Sequence, residues 1–466
     1  MNASMAKAIK LPRIMFAAAA SGSGKTLITC GILHALKKQG MNVTSFKCGP
    51  DYIDPMFHSR VIGTKSRNLD TFFTKRDITR YLMMKNAADS DIAVVEGVMG
   101  FYDGLAGISS KASAWDVADT TDTPVVFIVN CKGMSVSVIP YIKGFLEYKE
   151  NSHIKGVILN QISPMLYERI KKQIEQELSV KVCGYVPVVQ DCILESRHLG
   201  LVMPDEIHDL QENLDKFAEV LKKSLDFTAL LLIARDAKVM EYLEQPVFPK
   251  AQKPIRIALA KDEAFCFFYQ DNLQLLEAMG AELVPFSPIH DPKLPADIHG
   301  LLLYGGYPEL HGAALSENVS MRMEMKEALA NGLPCMAECG GFMYLHQFME
   351  DIEGNTYPMV GTIDGSAYKT SRLNRFGYIT LHGGTVFGEE IGKMPAHEFH
   401  YFDSDNCGES FRADKPLSSR GWRCIHSTPQ MLAGFPHLYY YSNPKIAETF
   451  LRKCRERSDH ELTRSN

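Results

Sequence analysis

The sequence predicts an α/β protein whose first half is a doubly wound, parallel sheet, and three observations predict it. Short apolar runs, IMFAAAA, DIAVVEG, TPVVFIVN and IKGVILN, recur between residue 12 and about residue 235, and they are continuous rather than alternating. Strands covered by helices on both faces read this way. Amphipathic stretches such as LITCGILHALKKQG and MLYERIKKQIEQEL separate them, as the crossovers of a parallel sheet require. A glycine-rich turn, SGSGKT, joins the first apolar run to the first such helix, which Gly40 is placed to end.

A chain of 466 residues exceeds one ordinary core and implies two large domains. Prolines and lysines break the rhythm in EQPVFPKAQKP (244–254), and a fresh strand, IRIALA, follows, so the domains are placed at 12–243 and 254–458. The second half resumes the strand and helix alternation through DNLQLLEAMG, AELVPF, GLLLYGG and LPCMAECGG, then grows richer in aromatics, glycine and histidine. The polar tail CRERSDHELTRSN is expected to fray.

Hydrophobic residues at 45% and charged residues at 23% match a globular chain. A net charge of -5 gives no support to a nucleic-acid or anionic-membrane partner, and no apolar stretch is long enough to span a bilayer. The 11 cysteines include no CxxC pair, which argues against a disulfide framework or structural zinc and suits a reducing cytoplasm. The N-terminal basic and apolar residues look like a signal peptide, but the run flows straight into SGSGKT and is read as a buried strand.

In SGSGKT, Gly22 and Gly24 let backbone N–H groups turn inward between Ser21 and Ser23, Lys25 reaches terminal phosphates, and Thr26 offers a hydroxyl to Mg²⁺. The common spacing would need glycine at Ala19, and a form one residue longer would need it at Ala18. FKCGPDYIDPMFH (46–58) places Asp51 and Asp54 around Tyr52, and carboxylates so near a phosphate imply a neutralising metal cation. DIAVVEGVMGFYDG (91–104) delivers Glu96 at the end of a strand, where ligands of open α/β sheets bind, and Asp103 shortly after.

The second half carries a different signature. LPCMAECGGFMYL (333–345) reads as a strand ending at Glu338, then Cys339, two glycines and a helix, the sharp turn that exposes a nucleophile. The helix N-terminus is expected to favour a Cys339 thiolate, and the Gly340 N–H to help bind an oxyanion, with Gly306 and Tyr307 of LLLYGGYPELHG completing that hole. Cys335 reads as apolar filler. The base is His397, His400 or His437, and residue chemistry does not rank them.

These stretches, with RNLDTFF, RHLGL, KDEAFCFFYQDN, RFGY and HEFHY, closely resemble the cobyrinate/hydrogenobyrinate a,c-diamide synthase family over almost the whole chain. The resemblance implies an N-terminal P-loop domain akin to dethiobiotin synthetase and a C-terminal class I (triad-type) glutamine amidotransferase domain. It implies amidation of the a and c acetates of a corrinoid tetrapyrrole with ATP, L-glutamine and Mg²⁺. Cys339 falls on the glutaminase nucleophile, and His437 on the base, because AGFPHLYY stands where the family has an ASYLHLHF-like stretch. Gly22, Gly24, Lys25 and Thr26 fall on the ATP loop, Glu96 on a metal-region carboxylate, and Asp51, Tyr52, Asp54 and Asp103 near the activated substrate. No third triad member is assigned.

Departures from the pattern are Ala18 for the loop-opening glycine, Phe435 and Pro436 for Ser-Tyr, Tyr439 for a second histidine, and Ala396 for the glycine before HEFH. Nickel-sirohydrochlorin and hydrogenobyrinate synthases share these motifs. Cobyric acid synthase ends in a GTYLHGLF-like stretch and lacks GPDYIDP. A regulatory P-loop ATPase with a dead amidotransferase module would keep ATP hydrolysis and lack glutaminase activity. A homodimer is a compatible assembly.

Overall fold

In the computed structural model, which describes residues 6–189, 206–244, 254–373 and 375–464, the apolar runs of the first half are almost wholly buried strands. The chain divides into two units, Met1–Pro246 and Val247–Asn466. The first runs β1 (Ala6–Ile9), β2 (Arg13–Ala18), α1 (Lys25–Lys38), β3 (Val43–Cys48), α2 (Ile53–Phe57), β4 (Lys65–Leu69), α3 (Arg76–Ala87) and β5 (Ile92–Glu96). It continues with α4 (Ala114–Thr121), β6 (Val125–Asn130), α5 (Val138–Glu147), β7 (Ile154–Asn160), α6 (Pro164–Glu177), β8 (Lys181–Val186), α7 (Glu206–Ser224), α8 (Phe227–Arg235) and β9 (Met240–Leu243).

Seven parallel strands form one sheet in the order β4, β3, β5, β2, β6, β7, β8. After β2 the chain steps to β3 on one side and returns later to β6 on the other, so SGSGKT leaves β2 at the point where the winding reverses. Helix α1 follows the loop and stops at Lys38, with Gly40 at φ +81° just beyond. β1 lies ahead of the expected domain start and pairs antiparallel with β9, which ties the two ends of the unit together. Beside it the fully buried Arg13 guanidinium donates to the carbonyls of Leu11, Thr121, Asp122 and Lys238. RHLGL and most of the boundary stretch lie outside the described residues.

The second unit opens with β10 (Ile255–Ala260), β11 (Phe265–Phe267), α9 (Gln270–Ala278), β12 (Ala281–Phe286), β13 (Gly300–Leu303), β14 (Gly305–Gly306), α10 (Gly312–Glu317), α11 (Val319–Ala330), β15 (Cys335–Glu338) and α12 (Gly340–Tyr344). Its main sheet orders β12, β10, β13, β15, then strands Met431–Gly434 and His426–Ser427, all parallel except the last. A five-stranded antiparallel sheet sets Met394–His400, which carries HEFH, directly beside His437–Leu438. The tail corrects an expectation: Lys445–Arg464 is a helix, not a frayed end. Ile446, Ala447, Phe450, Leu451 and Cys454 are buried along one stripe, which the surrounding charges mask in composition.

Ala18, the departure nearest the phosphate loop, is the last residue of β2 rather than part of the loop. Its methyl lies in the core cluster with Ile28 and Ile128, and its carbonyl accepts the Phe101 N–H at 2.8 Å. We predict that Ala18→Gly lowers unfolding free energy by about 1 kcal/mol and leaves nucleotide affinity within about twofold, checked by denaturant melts and nucleotide titration.

Candidate functional site

Each unit gathers its chemistry where a parallel strand ends. In the first, Gly22 (φ +75°) and Gly24 (φ +88°) both adopt left-handed backbone, so the loop needs glycine at these two positions. A side chain at Gly24 would also collide with the Asn160 amide, 2.6 Å away, which donates to the Ser23 carbonyl. Ser21 and Gly22 are exposed and Ser23 is buried. The Lys25 ammonium rests on the carbonyls of Ala20 (2.8 Å) and Met99 (2.6 Å), and burial, aided by Lys47, lowers its pKa to about 8.

Glu96 is fully buried at the end of β5. Thr26 Oγ1 donates to its Oε1 at 2.7 Å, Lys47 Nζ lies 2.7 Å from the same oxygen, and His58 Nε2 lies 3.2 Å from Oε2. Lys47 Nζ also contacts Asp54 Oδ2 at 2.5 Å. Burial alone would raise the Glu96 pKa, but Lys47 and His58 outweigh it and hold the carboxylate well below its usual range. Burial likewise opposes charge on Lys47, and Glu96 and Asp54 more than restore it. Asp54 is pushed up by burial and by Glu96, with Lys47 opposing.

The carboxylates near the loop are therefore neutralised by a lysine, where sequence reading expected only a metal. Thr26 Oγ1 and Glu96 Oε1 are oxygen donors of the kind magnesium takes, held 2.7 Å apart by their own hydrogen bond with Lys47 Nζ on the same Glu96 oxygen. Among the described residues no group of three or more His, Cys, Asp or Glu is arranged to hold a metal, so phosphate oxygens and water would complete the shell. Asp54 joins this cluster, whereas Asp51 accepts the N–H groups of Ile53 (2.8 Å) and Asp54 (3.4 Å), closing the turn into α2 behind the buried Tyr52. Asp103 stands apart, exposed, accepting the Gly100 N–H at 3.1 Å.

In the second unit Cys339 adopts φ +47°, ψ −105° between β15 and α12. That conformation costs a non-glycine residue about 1–3 kcal/mol, and the surroundings must impose it. Cys339 N–H donates to the Gly434 carbonyl (2.9 Å), Met343 N–H to Cys339 (2.9 Å) and Gly341 N–H to Tyr304 (3.0 Å). The turn closes only with glycine beside it, because a Cβ on Gly341 would sit 2.1 Å from the Leu303 carbonyl and one on Gly340 2.8 Å from Pro308.

A Cβ built on Gly305 would meet His437 Cε1 at 2.7 Å and Cys339 Cβ at 3.5 Å, so cysteine and histidine flank one small space. His397 stacks on the far partner, its ring centroid 4.9 Å from that of His437, and His400 is engaged by Glu398 at 2.9 Å and by the Phe435 ring. Only His437 of the three thus shares that space with the thiol among the described contacts. Its Nδ1 lies 3.7 Å from Glu338 Oε2. Asn272, fully buried, clamps the strand: its amide donates to the Leu438 carbonyl and accepts the Tyr440 N–H, both at 2.8 Å. Tyr439, the replaced second histidine, donates to Asp271 at 3.1 Å.

Two expectations are corrected here. Burial, reinforced by Glu309, pushes the Cys339 thiol up despite the Gly340 N–H, and α12 spans only five residues, so no thiolate is held at rest. Burial and then His397 drive His437 well below its usual value, which leaves a neutral thiol beside a neutral imidazole. Tyr307 N–H donates to the Ala264 carbonyl at 2.9 Å and is not available to an oxyanion. Gly306 and Gly340 lie close together beside the turn, a Cβ built on Gly340 falling 3.1 Å from the Gly306 nitrogen.

Residues 14–201 match the CobQ/CobB/MinD/ParA nucleotide binding domain family, and residues 256–438 match the CobB/CobQ-like glutamine amidotransferase domain family. A cobyrinate a,c-diamide synthase of Caldanaerobacter subterraneus subsp. tengcongensis is 38% identical over 445 residues, covering 94% of this chain and 98% of that one. Those of Clostridium tetani and Priestia megaterium are 39% and 34% identical, covering 94% and 95% of this chain and 99% and 97% of theirs. The chain belongs to the cobyrinate a,c-diamide synthase family.

In this member of the cobyrinate a,c-diamide synthase family, sequence reading passed over Lys47, Asn272 and Glu309. Lys47 stands inside the quoted FKCGPDYIDPMFH, and the available signal was a lysine one residue from the end of an otherwise buried strand. Asn272 closes the quoted KDEAFCFFYQDN and Glu309 lies within LLLYGGYPELHG, but neither residue type marks its role in those stretches.

Lys47→Met is expected to destabilise the fold by about 3 kcal/mol, since Glu96 is left buried without its cation. Lys47→Met combined with Glu96→Gln should recover most of that loss, a coupling that denaturant melts of the three variants measure. Nucleotide affinity should fall as pH rises through about 8, because the free protein loses the Lys25 ammonium there. Titrations that stay flat from pH 7 to about 9.5 would contradict a phosphate-facing role for Lys25.

Proposed function

We propose that this chain catalyses ATP- and glutamine-dependent amidation of the a and c acetate carboxylates of cobyrinate, a step of cobalamin synthesis, through an acyl phosphate. One observation carries the reading: a phosphate loop with a buried lysine and carboxylate cluster and a strained cysteine turn occur on a single chain of this family. The curated relatives bear the name of this activity.

A carboxylate is a poor acyl donor, so an acetate oxygen first attacks the γ-phosphorus of ATP and ADP departs. Lys25 is the group to leave its resting carbonyls for the terminal phosphates, with Gly22, Ser23 and Gly24 cradling them and Ser21 at the mouth. Thr26 and Glu96 would hold Mg²⁺, which supplies charge neutralisation to the phosphates when bound. Lys47 keeps Glu96 ionised in a buried setting and, with Asp54, borders the transfer site; Asp51, Tyr52 and Asp103 shape its approaches. Ammonia then attacks the acyl carbon and phosphate leaves.

The ammonia arises in the second unit. As glutamine enters, the Cys339 proton passes to His437, the thiolate attacks the side-chain amide carbon, and Gly306 and Gly340 N–H groups face the oxyanion. His437 returns the proton to the departing ammonia, and water then frees glutamate from the thioester. Glu338 faces the other imidazole nitrogen and the Asn272 clamp fixes the strand that carries the ring. The ten free cysteines among the described residues suit a reducing compartment, and we place the reaction in the cytoplasm.

The test offers cobyrinate, hydrogenobyrinate and nickel-sirohydrochlorin separately with ATP, Mg²⁺ and glutamine, and follows the mass change of each amidation. Two amide additions on cobyrinate are expected, and no product with any of the three would defeat the reading. Cys339→Ala should lose glutamine-dependent amidation by at least about 1,000-fold while ammonia still supports it, whereas Lys25→Ala should lose both. Loss of both activities in both variants would overturn this division of labour.

A further inference from the structure

The first unit holds a cleft of about 570 Å³ beside the phosphate loop, and apart from Asp103 its lining has no part in the mechanism above. Its lining includes Ala19, where the phosphate loop begins, and Asp103, whose carboxylate accepts the Gly100 N–H at 3.1 Å. Its wall is aromatic. Tyr102 stacks on Phe145 with centroids 5.8 Å apart and planes at 13°, and meets Tyr148 at 4.8 Å. The Tyr102 hydroxyl donates to the Phe145 carbonyl at 2.8 Å, which locks the loop after β5 onto α5. Lys149, next in sequence to the lining Tyr148, has its Nζ 5.3 Å from the Tyr148 ring centroid and 4.8 Å from that of Trp115. Tyr148 is 66% exposed, so its ring is open to a ligand.

A tetrapyrrole carrying acetate and propionate groups has a broad apolar body and an anionic margin. The apolar body calls for an aromatic wall, the margin for an ammonium at the rim, and the reacting carboxylate must reach the phosphate loop. This cleft offers all three. We propose that it receives the face of the tetrapyrrole whose acetates are activated, with Tyr148 and Tyr102 against the ring and Lys149 toward a peripheral carboxylate. The assignment rests on the amidation reading above. Adenine would use the aromatic wall but has no anionic margin for Lys149.

Gly144 provides a direct test. It lies in α5 on the cleft wall, and a Cβ there meets nothing within 4 Å, so the position has room for a side chain beside the cleft. Gly144→Leu should raise KM for cobyrinate at least about tenfold, and Tyr148→Ala about fivefold, while KM for ATP moves less than about twofold. Absorbance titration of the intact protein with cobyrinate should show the same losses in both variants. Unchanged cobyrinate KM and affinity in both would overturn the assignment, as would a rise confined to KM for ATP, which would give the cleft to adenine. If the wild type amidates no tetrapyrrole, the amidation reading fails. The titration still decides the cleft, since equal cobyrinate affinity in wild type and Gly144→Leu overturns it and lost affinity supports it.

Discussion

A carboxylate with no exposure to water survives in charged form only beside a cation, and the pairing of Glu96 with Lys47 is the constraint around which the first unit is organised. Both side chains come from neighbouring parallel strands whose register sets Lys47 opposite Glu96, so the pair forms only if β3 and β5 are in line. Thr26 at the start of α1, His58 beyond α2 and Asp54 within it then converge on the same two groups. Phosphate loop, sheet register and the GPDYIDP turn are thus bound to one electrostatic centre. A slip of one residue would send Lys47 to the other face of the sheet and leave Glu96 uncompensated.

The second unit ends a parallel strand in the same way, with Glu338 at the end of β15, and resolves the cost differently. Among the described residues no lysine is paired with Glu338; burial pushes its carboxyl up, Leu438 N–H donates to it at 3.3 Å, and His437 Nδ1 lies 3.7 Å from it. The chemistry there is consequently kept neutral at rest, thiol beside imidazole, and strain in the backbone of Cys339 replaces stored charge as the means of presenting the nucleophile. A neutral pair in a small space suits a site that acts only once an amide enters and displaces water, since ionisation before that would be costly in so dry a setting.

Much of the fold was legible because its signals are local or periodic. Continuous apolar runs report burial on both faces, and glycine before Lys25 or after Cys339 reports a backbone that other residues cannot follow. The site was legible in outline for the same reason, since Lys25, Thr26, Glu96 and Cys339 stand at turns between strand and helix. What escaped notice has no local mark. Lys47 looks like any lysine until a neighbouring strand supplies Glu96, and Asn272 becomes a clamp only when the strand around His437 lies along it. The tail from Cys454 reads as frayed because it is almost entirely polar, yet it continues a helix whose buried stripe, Ile446 to Cys454, lies mostly ahead of it.

The sequence by itself determined the two-unit α/β plan, the phosphate loop, the cysteine turn and the family, because each is written in contiguous residues with fixed backbone demands. Tertiary structure alone decided which partner each buried charge keeps and that the Cys339 thiol rests protonated. Those outcomes depend on distance and burial between residues far apart in the chain. Desolvation and Coulomb energy act through space, and the order of residues does not contain them.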